Sequence, residues 1–190
     1  MINGKIIIIT APSGAGKTSI TKYLLHKYSN LSFSISAATR QPRLNEVNNK
    51  DYYFISVSEF KEKISNNEFA EWEMVYEGKY YGTLKAELER IWNQNKIPVL
   101  DIDVKGAIHI QQAYSGKTLS LFIQPPSIKI LKERLLSRGT ETDEAIQTRV
   151  NKASYEISFS HSFDYIIIND NLEKACRDAA KVVETFLCQS

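Results

Sequence analysis

The segment Lys5-Ile6-Ile7-Ile8-Ile9-Thr10-Ala11-Pro12-Ser13-Gly14-Ala15-Gly16-Lys17-Thr18 starts as an unbroken apolar run and ends as a glycine-rich turn carrying Lys-Thr. A run this short and this apolar predicts a strand, Lys5–Thr10, buried on both faces of a parallel sheet. From Lys17 to Tyr28 the apolar residues Ile20, Leu24 and Tyr28 fall on one helical face, so a helix is expected there. A glycine-rich turn between strand and helix is the Walker A arrangement, here with Ala11 where the usual pattern has its first Gly. Inward-turned backbone N–H groups and the positive end of the helix bind phosphate oxygens in such a loop. Gly14 and Gly16 allow the tight backbone. Lys17 is expected to reach the β- and γ-phosphates of ATP, and the Thr18 hydroxyl to bind Mg2+. Ala11, Pro12, Ser13, Gly14, Ala15, Gly16, Lys17 and Thr18 together form the expected ATP-binding loop.

Working outward, a short strand is expected at Ser32–Ser36. Residues 37–83 then change character, with short aromatic-rich strands at Tyr52–Ile55, Phe69–Tyr76 and Lys79–Tyr81 around one helix. That helix opens with a capping-box pattern, Ser56-Val57-Ser58-Glu59. Glu77-Gly78 predicts the turn of a hairpin. After this insertion, helices at Leu84–Asn95, Val104–Ala113, Ser127–Ser137, Asp143–Ser160 and Leu172–Leu187 alternate with strands at Ile97–Asp101, Thr118–Ile123 and Tyr165–Ile168. The expected fold is α/β: a P-loop core with a parallel sheet flanked by helices, residues 1–36 and 84–190, plus a small mixed α/β insertion, residues 37–83.

The bulk composition removes several function classes. The 190 residues are 43% hydrophobic and 24% charged, which fits a soluble globular chain and not a disordered or fibrous one. A net charge of +2 gives no nucleic-acid footprint. No stretch is long enough for a membrane span, and the N-terminal apolar run is too short for a signal peptide, so a cytoplasmic setting is expected. Cys176 and Cys188 lack paired spacing, and His26, His109 and His161 are scattered, so neither a disulfide framework nor a zinc site is expected.

The segment after the loop narrows the kind of kinase. Ser36-Ala37-Ala38-Thr39-Arg40-Gln41-Pro42-Arg43, then Glu46-Val47 and Asp51-Tyr52, resembles the GMP-binding signature of guanylate kinases. The resemblance continues through Glu71-Trp72, Tyr80-Tyr81-Gly82-Thr83, Leu100-Asp101-Ile102-Asp103, Pro125-Pro126-Ser127, Arg134, Arg138-Gly139-Thr140-Glu141-Thr142 and Asn169-Asp170, in family order over nearly the whole chain. It implies transfer of the γ-phosphoryl group of ATP to GMP, and to dGMP, giving GDP and ADP with Mg2+. It also implies a GMP-binding insertion and a helical lid at about 127–160. Carried over by position, Arg40, Arg43, Tyr52 and Tyr81 would hold the phosphate of GMP, Ser36, Glu71, Thr83 and Asp103 would contact the guanine, and Glu46 would belong to the same GMP-binding set. Arg134, Arg138 and Arg149 would surround the transferring phosphate, and Asn169 would lie near the adenine. The substrates would be ATP and GMP, with no nucleic-acid or membrane partner; a homo-oligomer is compatible with the sequence. A non-catalytic binding module of the same shape would lack Gly16, Lys17, Thr18 and the lid arginines. A kinase for another small phosphate ester would lack the guanine set.

These residue types suit the reaction. Guanine offers N–H donors at N1 and its exocyclic amine, so a carboxylate accepts from guanine and is left unpaired by adenine. Asp101 and Asp103 are expected on one face at the end of a strand, with Asp101 holding Mg2+ through water as a Walker B-like acid. Guanidinium groups grip phosphate bidentately and keep their charge. Arg134 and Arg138, four apart on an expected helix, share a face.

Overall fold

The computed structural model describes residues 4–137 and 142–188. Two sheets are present. The larger is wholly parallel, in the order β2 (Leu31–Phe33), β7 (Ile97–Asp101), β1 (Ile6–Thr10), β8 (Thr118–Gln124), β9 (Tyr165–Ile168). β1 is its middle strand, and Ile6 to Ile9 are each fully buried. Burial of such a side chain contributes about 1.5–3 kcal/mol, which accounts for the unbroken apolar run. Ile7 and Ile9 join one core layer with α1 (Lys17–Lys27) and α7 (Leu172–Cys188); Ile6 and Ile8 join the other with α3 (Lys85–Asn93) and α4 (Val104–Ala113).

The smaller sheet holds β4 (Tyr53–Phe54), β3 (Ala37–Ala38), β6 (Lys79–Leu84) and β5 (Phe69–Tyr76), in that order. It is mixed: β3 runs parallel to β4 but antiparallel to β6, which pairs with β5 as a hairpin. Its own small core is Ala37, Phe60 and Phe69 under α2 (Val57–Ser65). The Ser56 side chain caps α2 by accepting from the Glu59 N–H at 3.1 Å. A third cluster, Leu131, Leu135, Ile146, Val150 and Ala153, joins α5 (Ile128–Leu136) to α6 (Asp143–Ser158).

Several expected element ends shift, β6 running past the expected Tyr81 to Leu84, and two of the shifts bear on the site. The strand expected over Ser32–Ser36 stops at Phe33, because the chain must leave the large sheet to enter the small one. β7 stops at Asp101, and Asp103 is not a strand residue but the N-cap of α4, its carboxylate accepting from the Gly106 N–H at 2.9 Å.

Candidate functional site

Register decides where the site lies. Ile9 of β1 stands beside Asp101 of β7, so the loop after β1 and the Asp101 carboxylate emerge at the same carboxyl edge. The loop closes on itself through an Ala15 N–H bond to the Pro12 carbonyl at 3.0 Å. Gly14 and Gly16 have φ of 93° and 98°, the left-handed region that side chains resist, whereas Ala11 does not. At Gly16 a second constraint applies, since an added Cβ would fall 2.1 Å from the Asn169 amide nitrogen.

The buried side chain of Asn169, the residue assigned to the adenine side, donates to the Ala15 carbonyl at 2.7 Å and so braces the loop from within the protein. Lys17 is ion-paired and hydrogen-bonded to Asp101, and that carboxylate holds its pKa above the usual value although burial opposes this. Both side chains keep about a quarter of their surface exposed. Thr18, in the first turn of α1, lines a cavity of about 320 Å3 together with Asp101, Ser36, Glu46 and Tyr52.

A neighbouring cavity of about 200 Å3 lies between the two sheets. Lys17 of α1, Asp101 of β7 and Asp103 at the start of α4 line it, with Ser36, Tyr52, Glu71 and Tyr81. Glu71 is 7% exposed, and burial lifts its pKa to about 7 against the pull of a 2.7 Å hydrogen bond from the Thr83 hydroxyl. Thr83 is itself fully buried. Its hydroxyl proton is committed to Glu71, so Thr83 orients the carboxylate that lines the cavity.

Glu71 stands close to α4. A Cβ on Gly106 would lie 2.6 Å from its Oε2, so a larger residue there would have to displace the Glu71 carboxylate. Spacing alone did not mark Gly106, nor Glu73 and Val75, which also line the cavity. The period-two alternation of β5 from Glu71 supplies the signal for the last two.

Arg40 is held on all sides. Glu46 takes its guanidinium with two bonds of 2.5 and 2.7 Å, the Tyr81 hydroxyl accepts from Nε at 3.1 Å, and the Tyr52 ring lies 4.9 Å away face-on. The Arg40 guanidinium holds Glu46 at a pKa of about 2. Glu46 also accepts the Arg43 N–H at 2.8 Å. An anionic carboxylate does not bind phosphate, so Glu46, expected among the GMP contacts, has the geometry of a holder for Arg40. Arg43 itself is exposed. Burial keeps the Tyr52 hydroxyl protonated, assisted by the Asp101 charge, and therefore able to donate.

On the donor side Arg149 of α6 reaches the loop, its Nη1 donating to the Ser13 hydroxyl at 3.0 Å. Arg134 of α5 donates to the Asp170 carbonyl at 3.3 Å. Arg138 lies outside the described residues, and α5 ends at Leu136 before reaching it. Among the described residues no group of three or more His, Cys, Asp or Glu side chains could hold a metal, and no helix is long and apolar enough to cross a membrane.

Residues 3–186 match the family model described as guanylate kinase. The guanylate kinase of Bacteroides fragilis is 50% identical over 183 residues, which cover 96% of this chain and 90% of that protein. That of Porphyromonas gingivalis is 46% identical, covering 97% and 99%, and that of Thermotoga maritima 42%, covering 97% and 88%. Among solved structures, the crystal structure of guanylate kinase from Anaplasma phagocytophilum superposes with a TM-score of 0.77 at 29% identity, covering 98% of this chain and 88% of that one.

Proposed function

Because this chain belongs to the guanylate kinase family and is an ATP-dependent GMP kinase, we propose that GMP and dGMP occupy the cavity between the two sheets and receive the phosphoryl group at Lys17. The observation that carries this reading is the buried Glu71 carboxylate facing the same 200 Å3 space as Lys17 and Asp101. Guanine N1–H and its amino group donate to Glu71, with Asp103 beside it. Arg40, Arg43, Tyr52 and Tyr81 take the acceptor's phosphate, and the Ala11–Thr18 loop takes the phosphates of ATP.

The acceptor is already an anionic phosphate, so no general base is needed. The protein aligns two phosphates and neutralises the charge spread between them. Lys17, Arg134, Arg138 and Arg149 supply that positive charge. α5 and α6 act as the lid that excludes water and suppresses ATP hydrolysis.

Thr18 and Asp101 offer hard oxygen donors in one shared cavity, which suits a Mg2+ ion bound mainly by phosphate and water. Thr18 would hold it directly and Asp101 through water, and the ion would neutralise charge on the β- and γ-phosphates.

The deciding experiment is ADP formation from ATP and Mg2+ with GMP, AMP, CMP or UMP as acceptor. A strong rate with GMP and little with the others is expected; comparable rates with AMP would remove Glu71 as the base-reading group. Arg43→Ala is expected to raise KM for GMP by about 10-fold or more, since a charge-assisted hydrogen bond contributes about 1.5–3 kcal/mol. KM for ATP should stay within about twofold by the same reasoning. Equal losses in both constants would show that Arg43 does not serve the acceptor phosphate.

A further inference from the structure

The small sheet is joined to the large one at two crossings. The chain leaves through Ser34, Ile35 and Ser36, between β2 and β3, and returns from β6 directly into α3. One side chain touches both. Glu87, in the first turn of α3, is 3% exposed. Its Oε1 accepts the Ile35 N–H at 2.9 Å and Arg90 Nη2 at 2.8 Å. Its Oε2 accepts the Tyr53 hydroxyl and Arg90 Nε, each at 2.8 Å. Each oxygen thus has two donors, and the donors come from the outgoing crossing, from β4 of the small sheet and from α3 itself.

The neighbours of these donors give the arrangement its meaning. Ser36 follows Ile35, and Tyr52 precedes Tyr53. In extended backbone, adjacent side chains point to opposite sides. The Tyr53 side chain, tied to Glu87, therefore points away from that of Tyr52, and the Ile35 N–H bond fixes the backbone immediately before Ser36; Ser36 and Tyr52 line the cavity between the sheets. A buried carboxylate is costly unless fully paired, and an apolar side chain in its place would pack without fixing any direction. Glu87 touches neither cavity.

We propose that Glu87 is a positioning residue for the acceptor nucleotide, pinning both crossings so that Ser36 and Tyr52 stand where GMP needs them. The inference rests on the reading of that cavity as the GMP site. A merely structural role for Glu87 would lower stability and affect both substrates alike.

Two variants separate these outcomes. Glu87→Gln keeps the shape but turns an amide NH2 toward two donors. It is expected to raise KM for GMP about 10-fold, from the loss of charge-assisted bonds, with KM for ATP within about twofold. Hydrogen exchange at the Ile35 amide should quicken, while exchange in β1 and β8 stays unchanged. Tyr53→Phe removes only the hydroxyl that reaches from β4 and should raise KM for GMP about threefold, again without moving KM for ATP. If Glu87→Gln fails to fold, Tyr53→Phe carries the test alone. A ratio of the two KM values equal to wild type in the folded variants would overturn the proposal, even with a lowered Tm. The wild-type protein in the same assay distinguishes the two levels: normal GMP turnover with an unmoved ratio removes the role of Glu87 alone. Absence of GMP-dependent turnover in wild type removes the cavity reading and the proposal together.

Discussion

Lys17→Ala is expected to lower kcat for GDP formation by a factor on the order of 10^3 or more while leaving the protein folded. Removing one preorganised donor from a developing charge costs about 10^2–10^3 in rate, and Lys17 carries a full charge. The variant should fold because the structure around Lys17 does not depend on it. The loop is held by the Ala15–Pro12 bond and by the Asn169 brace, neither of which uses the lysine. Asp101 loses its partner, but a side chain 24% exposed keeps access to water, so the cost to stability is modest. Initial rates with saturating ATP and GMP, together with a thermal melt, check both halves. A kcat within tenfold of wild type would mean that the loop is not where phosphoryl transfer is catalysed.

Glu71→Gln should cost about 10^2 in kcat/KM for GMP and narrow the preference for GMP over AMP. The size follows from exchanging charge-assisted hydrogen bonds for an amide that presents its own N–H to guanine donors. The shape is preserved, and the Thr83 hydroxyl still finds an oxygen acceptor. The pH dependence has a definite sign. Burial raises the Glu71 pKa to about 7, so the ionised, guanine-accepting form is depleted below that value. In wild type kcat/KM for GMP should rise about tenfold from pH 6 to pH 8; in the variant this limb should flatten. Stability moves the other way. Between the unfolded carboxyl pKa and about 7 the folded protein holds more protons at this site, so its stability falls as pH rises through that window. Glu71→Gln abolishes that loss and should melt higher than wild type at pH 8. A lower Tm at pH 8 would show that the carboxylate is there for the fold and not for the base.

The parts of the site that announce themselves in the sequence are those whose chemistry demands a fixed spacing in a short stretch. The loop from Ala11 to Thr18 is of this kind, and so is the alternation of strands and helices around it. Asp101 is legible because it ends an apolar strand. Assignments that depend on a partner distant in the chain are not legible in this way. Asn169 follows β9 and Ala15 lies in the loop after β1, so the hydrogen bond between them depends on the folded sheet. Thr83 and Glu71 belong to opposite strands of a hairpin, so their hydrogen bond depends on β5–β6 register. Glu46 sits in a motif shared with phosphate-binding arginines, and its charge should have argued for a holder of Arg40. Glu87 looks like one more acid on the polar face of a helix until its four donors are seen. Propensity likewise placed Ser34 to Ser36 in a strand, because the change of sheet at Phe33 is a tertiary event.

The middle position of β1 has a consequence for how the chain is made. Ile7 finds its lateral neighbours only at Val99 and Leu119. At about 5–20 residues per second, β1 leaves the ribosome several seconds or more before either of them. During that interval Ile6-Ile7-Ile8-Ile9 is an uncharged, β-branched segment of the kind that adheres to copies of itself. Lys5 on one side and Pro12 on the other interrupt it, a charge and a ring that blunt intermolecular pairing. The nascent chain therefore carries a self-associating segment whose sheet partners are made late. Yield in a growing cell should depend on whatever shelters that strand through the wait.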